Sequence, residues 1–122
     1  KKLETAWNNG IGKEFQESFS SPTDFVNIMG EHFFSVTRDE IGAGHQAIFD
    51  TIYKGSTIKY EIVQASMIDT NTIVAHMKSV LTSPSGPMAG INGSIMTLVL
   101  IPENDEWKVR AFQNTLMRDR TN

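Results

Sequence analysis

Hydrophobic spacing along this chain switches between helical and alternating, and the switches mark its elements. Leu3, Ala6 and Trp7 share one helical face, and Asn8-Asn9-Gly10 stops that helix because glycine takes the left-handed cap conformation freely. Phe15 and Phe19, four apart, predict a second short helix over 13–19, ended by Ser20-Ser21-Pro22. Residues 24–29 read as a first strand, Gly30-Glu31 as a turn, and residues 32–36 as a return strand. Thr37 and Glu40 form a capping box, which satisfies two free donors at a helix start. That helix is expected to run to about Lys54 and stop at Gly55. Ile41, His45, Ile48 and Ile52 fall on one stripe, so His45 lies on the apolar face with Phe49 at its border.

Alternation then takes over. In the strand predicted over 57–68, Ile58, Tyr60 and Ile62 face one way and Lys59 and Glu61 the other. Strands over 72–81 and 94–101 follow, then a polar turn over 102–106 and a final strand from Trp107 to Met117. In that last strand Trp107, Val109 and Ala111 alternate with Lys108 and Arg110. Gln113 and Asn114 then stand where a plain sheet core would carry aliphatics, the pattern of a strand that walls a pocket. Helices preceding a run of strands give an α+β class, with residues 1–122 read as one domain. Residues 82–93, rich in Gly, Pro and small polar side chains, exceed what a hairpin needs and are a candidate lid.

Composition narrows the function classes. With 39% hydrophobic and 20% charged residues the chain is globular rather than disordered. A formal net charge of −3 without a basic block removes the phosphate-neutralising surface of a nucleic-acid binder. No apolar run is long enough to span a bilayer, so no membrane partner is expected. The lack of a signal-peptide apolar region points to the cytoplasm, and the start at Lys1-Lys2 is consistent with trimming. The absence of Cys rules out a thiol nucleophile, a disulfide framework and Cys-based metal sites. No His or carboxylate pair has metal-ligand spacing, so no metal is expected. Gly10 and Gly12 follow a helix and lack a third glycine, so no dinucleotide or other cofactor is expected either.

The element order, Ala6-Trp7-Asn8-Asn9-Gly10, Phe25-Val26-Asn27-Ile28-Met29-Gly30 and the stretch from Trp107 to Thr115 together resemble a known group. It is the SnoaL-like branch of the nuclear transport factor 2-like superfamily, nearest the small bacterial SgcJ/EcaC family. The resemblance implies a cystatin-like fold: a curved antiparallel sheet wrapped by N-terminal helices and one longer helix around a conical cavity, in a homodimer. Members include steroid isomerases, polyketide cyclases and dehydratases, so fold does not decide function. Where ketosteroid isomerases carry an Asp general base, this chain has Asn27, and an amide takes no proton at working pH. The isomerases' oxyanion Tyr and second Asp would fall near Leu3 and near residues 97–99. SgcJ/EcaC members often have His where this chain has Gln113. Steroid isomerisation by a carboxylate base is therefore expected to be undetectable.

His45 is the candidate proton-transfer residue, its ordinary pKa lying near neutrality. The opposing reading is a hydrogen-bonded His at the core edge. Asn27 and Gln113, on two strands, are candidate ligand-orienting amides; they could equally satisfy backbone groups. Trp7, Phe49 and Tyr60 are candidate apolar lining, or plain core. Six Met suit an adaptable apolar interior. His76 shares a strand face with Lys78 and is expected on the convex side. Phe112 and Leu116, by parity with Lys108 and Arg110, are expected on the convex face as a dimer surface. Three readings compete: a binder of an apolar small molecule, a lyase, isomerase or cyclase using His45 on a polyketide-like or other apolar substrate, and a dimerising module with a vestigial cavity. An enzyme of this type needs a base with a tuned pKa in the pocket, and His45 alone qualifies, which favours binding.

Overall fold

The computed structural model describes residues 2–86 and 89–117. Its elements run α1 (Lys2–Asn9), α2 (Gly12–Gln16), β1 (Phe19–Val26), β2 (His32–Val36), α3 (Arg38–Phe49), β3 (Thr57–Asp69), β4 (Thr72–Ser83), β5 (Gly90–Glu103) and β6 (Glu106–Leu116). This is the α+β order expected from the spacing. The capping box forms as read: the Thr37 side chain accepts from the Glu40 N–H, and the Glu40 carboxylate accepts from the Thr37 N–H at 2.8 Å. α3 ends five residues earlier than the stripe suggested, and a turn carries the chain to Gly55.

Six strands form one sheet in the order β2-β1-β6-β5-β4-β3. Four adjacent pairs are antiparallel, but β1 and β6 run parallel, so the sheet is mixed rather than antiparallel throughout. That pairing starts β1 at Phe19. The short helix therefore ends at Gln16, and Phe19 is fully buried as a strand residue. The candidate lid also shrinks. β4 extends to Ser83 and β5 begins at Gly90, which leaves 84–89 as the connection, with residues 87 and 88 outside the described set.

A bulge in β6 controls which side chains face inward. Val99 pairs with Ala111 and Leu100 with Val109, so Arg110 is the extra residue. The β1 register breaks at the same place, between Phe19 opposite Val109 and Asp24 opposite Ala111. Buried Thr23 bridges the gap, its hydroxyl 3.0 Å from both the Val109 and the Arg110 carbonyl oxygens. One extra residue reverses parity downstream. Phe112 consequently turns into the core and stacks on Phe25 at 4.5 Å, not onto the convex face where parity alone put it. Leu116 is exposed, but shares the concave parity of Phe112. Trp107 is exposed, while Lys108 is buried, its ammonium held by the Glu17 carbonyl and by Glu106 at 2.9 Å.

The helices cover the concave face at one end of the sheet. Trp7 donates to Ser56 at 2.9 Å, and Asn8 pairs with both backbone groups of Ile58, fastening α1 to the start of β3. α2 lies against α3 at Gly12 and Gly42, where a Cβ on Gly12 would overlap the Gly42 carbonyl. Gln46 stitches the contact by accepting from the Gly12 N–H and donating to the Gly10 carbonyl. The core is one cluster of Leu3, Trp7, Phe15, Phe19, Phe25, Ile41, Phe49 and Met96 with their neighbours. Its rings meet mostly edge-on or tilted, as with Trp7 and Phe49 at 4.9 Å, contacts that add about 0.5–1.5 kcal/mol beyond burial.

Candidate functional site

A cavity of about 80 Å³ lies between the helices and the concave face. Trp7, Phe15 and Phe25 form its aromatic side, and Ile48, Ile58, Leu81 and Met96 its aliphatic one. Polar groups reach it from His45, Tyr53, Tyr60, Asn92, Asn114 and the pair Ser79 and Ser94, whose hydroxyls lie 2.6 Å apart. Its lining contains no Lys, Arg, Asp or Glu. An adjoining hollow of about 230 Å³ shares Phe25, Asn27, His45 and Ile48 with it and is bounded outside by Glu31 and Phe33. The inner cavity alone is smaller than the roughly 300–1,000 Å³ usual for ligand pockets. A drug-sized ligand would therefore occupy both.

His45 stands where the two spaces meet. Its ring stacks on Phe15 at 4.1 Å and meets Phe25 edge-on at 5.3 Å. Nδ1 lies 2.9 Å from the Ile41 carbonyl. A carbonyl only accepts, so Nδ1 carries the hydrogen and Nε2 keeps its lone pair. Burial pushes the His45 pKa down to about 4, against a smaller opposing effect of the Ile41 carbonyl. The ring is neutral at pH 7 and presents an acceptor. Burial raises the Tyr53 hydroxyl from its ordinary value and pushes that of Tyr60 well above the usual phenol range, with Glu4 adding to the effect on Tyr60, so both stay protonated.

The candidates read from sequence separate here. Trp7, His45 and Tyr60 line the cavity together. Phe49 is buried behind Trp7 and does not reach the cavity; it is core. Asn27 borders both spaces, but its side chain is spent locally. Its oxygen accepts from the N–H groups of Met29 and Glu31, and its nitrogen donates to Glu31. It holds the turn between β1 and β2. Gln113 is exposed on the opposite face, because the bulge at Arg110 sends its neighbour Asn114 inward instead. Asn114 is thus the inward amide of the final strand, and its Oδ1 is buried without a hydrogen-bond partner. Spacing alone could not separate Gln113 from Asn114. Tyr53, Phe15 and Phe25 were legible as aromatics near predicted elements, but carried no parity signal. His76 lies on the convex side as expected, 3.1 Å from the Thr97 hydroxyl. No metal-holding group of His and carboxylates occurs among the described residues, and no helix there is long and apolar enough to cross a membrane.

No protein-family profile and no curated protein sequence matches the chain. Solved structures do. A cystatin-like domain of unknown function from Nostoc punctiforme superposes with a TM-score of 0.84 at 24% identity, over 97% of this chain and 72% of that one. An NTF-2-like protein of unknown function from Shewanella oneidensis gives 0.77 at 15%, over 93% and 90%. A ketosteroid isomerase-like protein from Erwinia carotovora atroseptica gives 0.76 at 11%, over 97% and 90%. The fold is cystatin-like. At these identities the likeness is one of architecture, shared with NTF2-like proteins of different description.

Proposed function

We propose that this protein binds a small, mainly apolar molecule in the cavity beneath α1, α2 and α3. The observation that carries the reading is a largely aromatic and aliphatic enclosure, free of ionised groups, with a neutral imidazole where it meets an outer hollow. The motifs around Trp7, Asn27 and Trp107 support placing the chain in the SnoaL-like branch near the SgcJ/EcaC family. The test is native mass spectrometry of the gently purified protein, with Trp7 emission followed in a Trp107→Phe background. A released small molecule whose return shifts Trp7 emission is the expected result. Preparations that carry nothing, and whose Trp7 emission no apolar compound moves, would overturn the reading.

The free Nε2 lone pair of His45 also supports a lyase, isomerase or cyclase in which His45 moves a proton on a polyketide-like or other apolar substrate. Its depressed pKa makes it a weak base at pH 7, which favours binding over catalysis. In an enzyme, His45→Gln would abolish turnover and largely keep affinity. In a binder it would change affinity modestly and nothing else.

A homodimer through the convex sheet face belongs to the same proposal. With Phe112 inside, that face rests on Val80, Ile91 and Met117, all exposed. Light scattering of the wild type and of Val80→Asp tests it: a dimer that becomes a monomer is expected, and a wild-type monomer at micromolar concentration refutes it.

A further inference from the structure

Two acceptor atoms face the cavity without a protein donor among the described residues, one of them buried and the other where the cavity meets the outer hollow. Asn114 Oδ1 is buried without a partner. His45 Nε2 has no hydrogen-bond partner among the described residues, and the Ile41 carbonyl fixes it as the unprotonated nitrogen. Native structures seldom leave a buried acceptor unmatched, because the lost hydration is not recovered. Asn92 also lines the cavity but is engaged in an interaction of its own, and Asn114 Oδ1 stays without a donor. Ser79 and Ser94 bond each other, and the Asn27 amide is held in its turn. The Tyr53 and Tyr60 hydroxyls can turn either way, so they accommodate a ligand without choosing its polarity. Charge selects further. No cation lines either space to offset the desolvation of a carboxylate or phosphate, and the one carboxylate, Glu31, bounds only the outer hollow and leaves an ammonium in the inner cavity unpaired.

We infer that the ligand is a neutral hydrogen-bond donor, a hydroxyl or N–H compound on an aromatic or aliphatic body, placed so that Asn114 Oδ1 and His45 Nε2 receive its hydrogens. This inference deepens the proposed binding function and rests on it. It differs from a site built to stabilise an oxyanion, which must present donors. Here the assigned atoms would repel an enolate or carboxylate oxygen.

Three compounds of one shape separate the outcomes: 4-methylphenol, 4-methylanisole and 4-methylbenzoate, titrated by ligand-observed NMR against the wild type and Asn114→Leu. The phenol is expected to bind at least tenfold more tightly than the anisole, with the benzoate not binding. Asn114→Leu should lower phenol affinity about tenfold and leave the anisole within twofold. Circular dichroism and melting of the variant confirm that it is folded, and His45→Phe provides a second variant with the same expected loss. Anisole or benzoate binding as well as the phenol overturns this inference while leaving the binding reading intact. Failure of all three to bind, together with no co-purified molecule, overturns both.

Discussion

Ile58 and Ile62 sit on the same face of β3, four residues apart, yet Ile58 is 8% exposed and Ile62 is 68% exposed. The strand does not change between them; its cover does. Up to Tyr60, α1 closes the outer edge of β3: Asn8 pairs with both backbone groups of Ile58, and Glu4 accepts from the Tyr60 N–H at 2.9 Å. From Glu61 to Asp69 every residue is exposed, Val63, Met67 and Ile68 among them. β3 is a sheet edge, and edges without cover are ordinarily charged, bulged or partnered. This one has bulges at Val63 and Ile68 and no charge between Glu61 and Asp69. An alternating pattern therefore establishes a strand and its two faces, but which face is dry depends on what another element brings to it.

Truncations should show the largest contrast. Phe15→Ala, in the covered half, is expected to cost about 3–5 kcal/mol in urea unfolding, and Ile58→Ala about 2–5 kcal/mol. Ile62→Ala should stay within about 0.5 kcal/mol. A comparable loss at Ile62 would mean that a partner or second copy covers this part of β3 in solution.

Protonation separates the two regions next. His45 titrates at about 4 in the folded protein against an ordinary 6.5, so between these values the unfolded chain binds more protons than the folded one. Stability is thus insensitive to this group above pH 6.5 and falls as pH drops toward 4. The loss is on the order of 3 kcal/mol. Melting curves of wild type and His45→Gln across pH 4–8 check it: the wild type should lose this extra stability on acidification and the variant should not. Parallel curves would place His45 in contact with bulk water.

What was legible in the sequence follows the same division. Local signals, such as the Thr37–Glu40 capping box and the Asn8-Asn9-Gly10 stop, depend on neighbours in sequence, and the structure matches them. The placement of His45 and Tyr60 also follows, because a helical stripe or an unbroken alternation reaches them directly. Gln113 and Phe112 lie beyond the bulge at Arg110. That bulge is fixed by Thr23, 87 residues away from Arg110 in sequence, through a hydroxyl bond across the parallel pairing with β1. No spacing rule within β6 contains that information. Asn27 illustrates a different limit: its position near the cavity was readable, but its commitment to the Met29 and Glu31 amides depends on the turn geometry.

Adjacent residues Gln113 and Asn114 give the smallest and most diagnostic contrast, since one lies outside and the other inside on the same strand. Gln113→Ala should change stability by no more than about 0.5 kcal/mol, because nothing buried depends on it. Asn114→Leu should act in the opposite sense to most core substitutions. A buried oxygen without a donor costs about 1–3 kcal/mol, and an apolar side chain of similar length removes that cost. The empty protein is therefore expected to become more stable by about 1 kcal/mol while its affinity for a donor ligand falls. Stability gained at the expense of binding is what distinguishes a ligand-facing acceptor from a merely structural amide, whose loss would lower both. Paired urea unfolding of the ligand-free proteins decides it: a destabilised Asn114→Leu would show that Oδ1 has a donor in the resting protein.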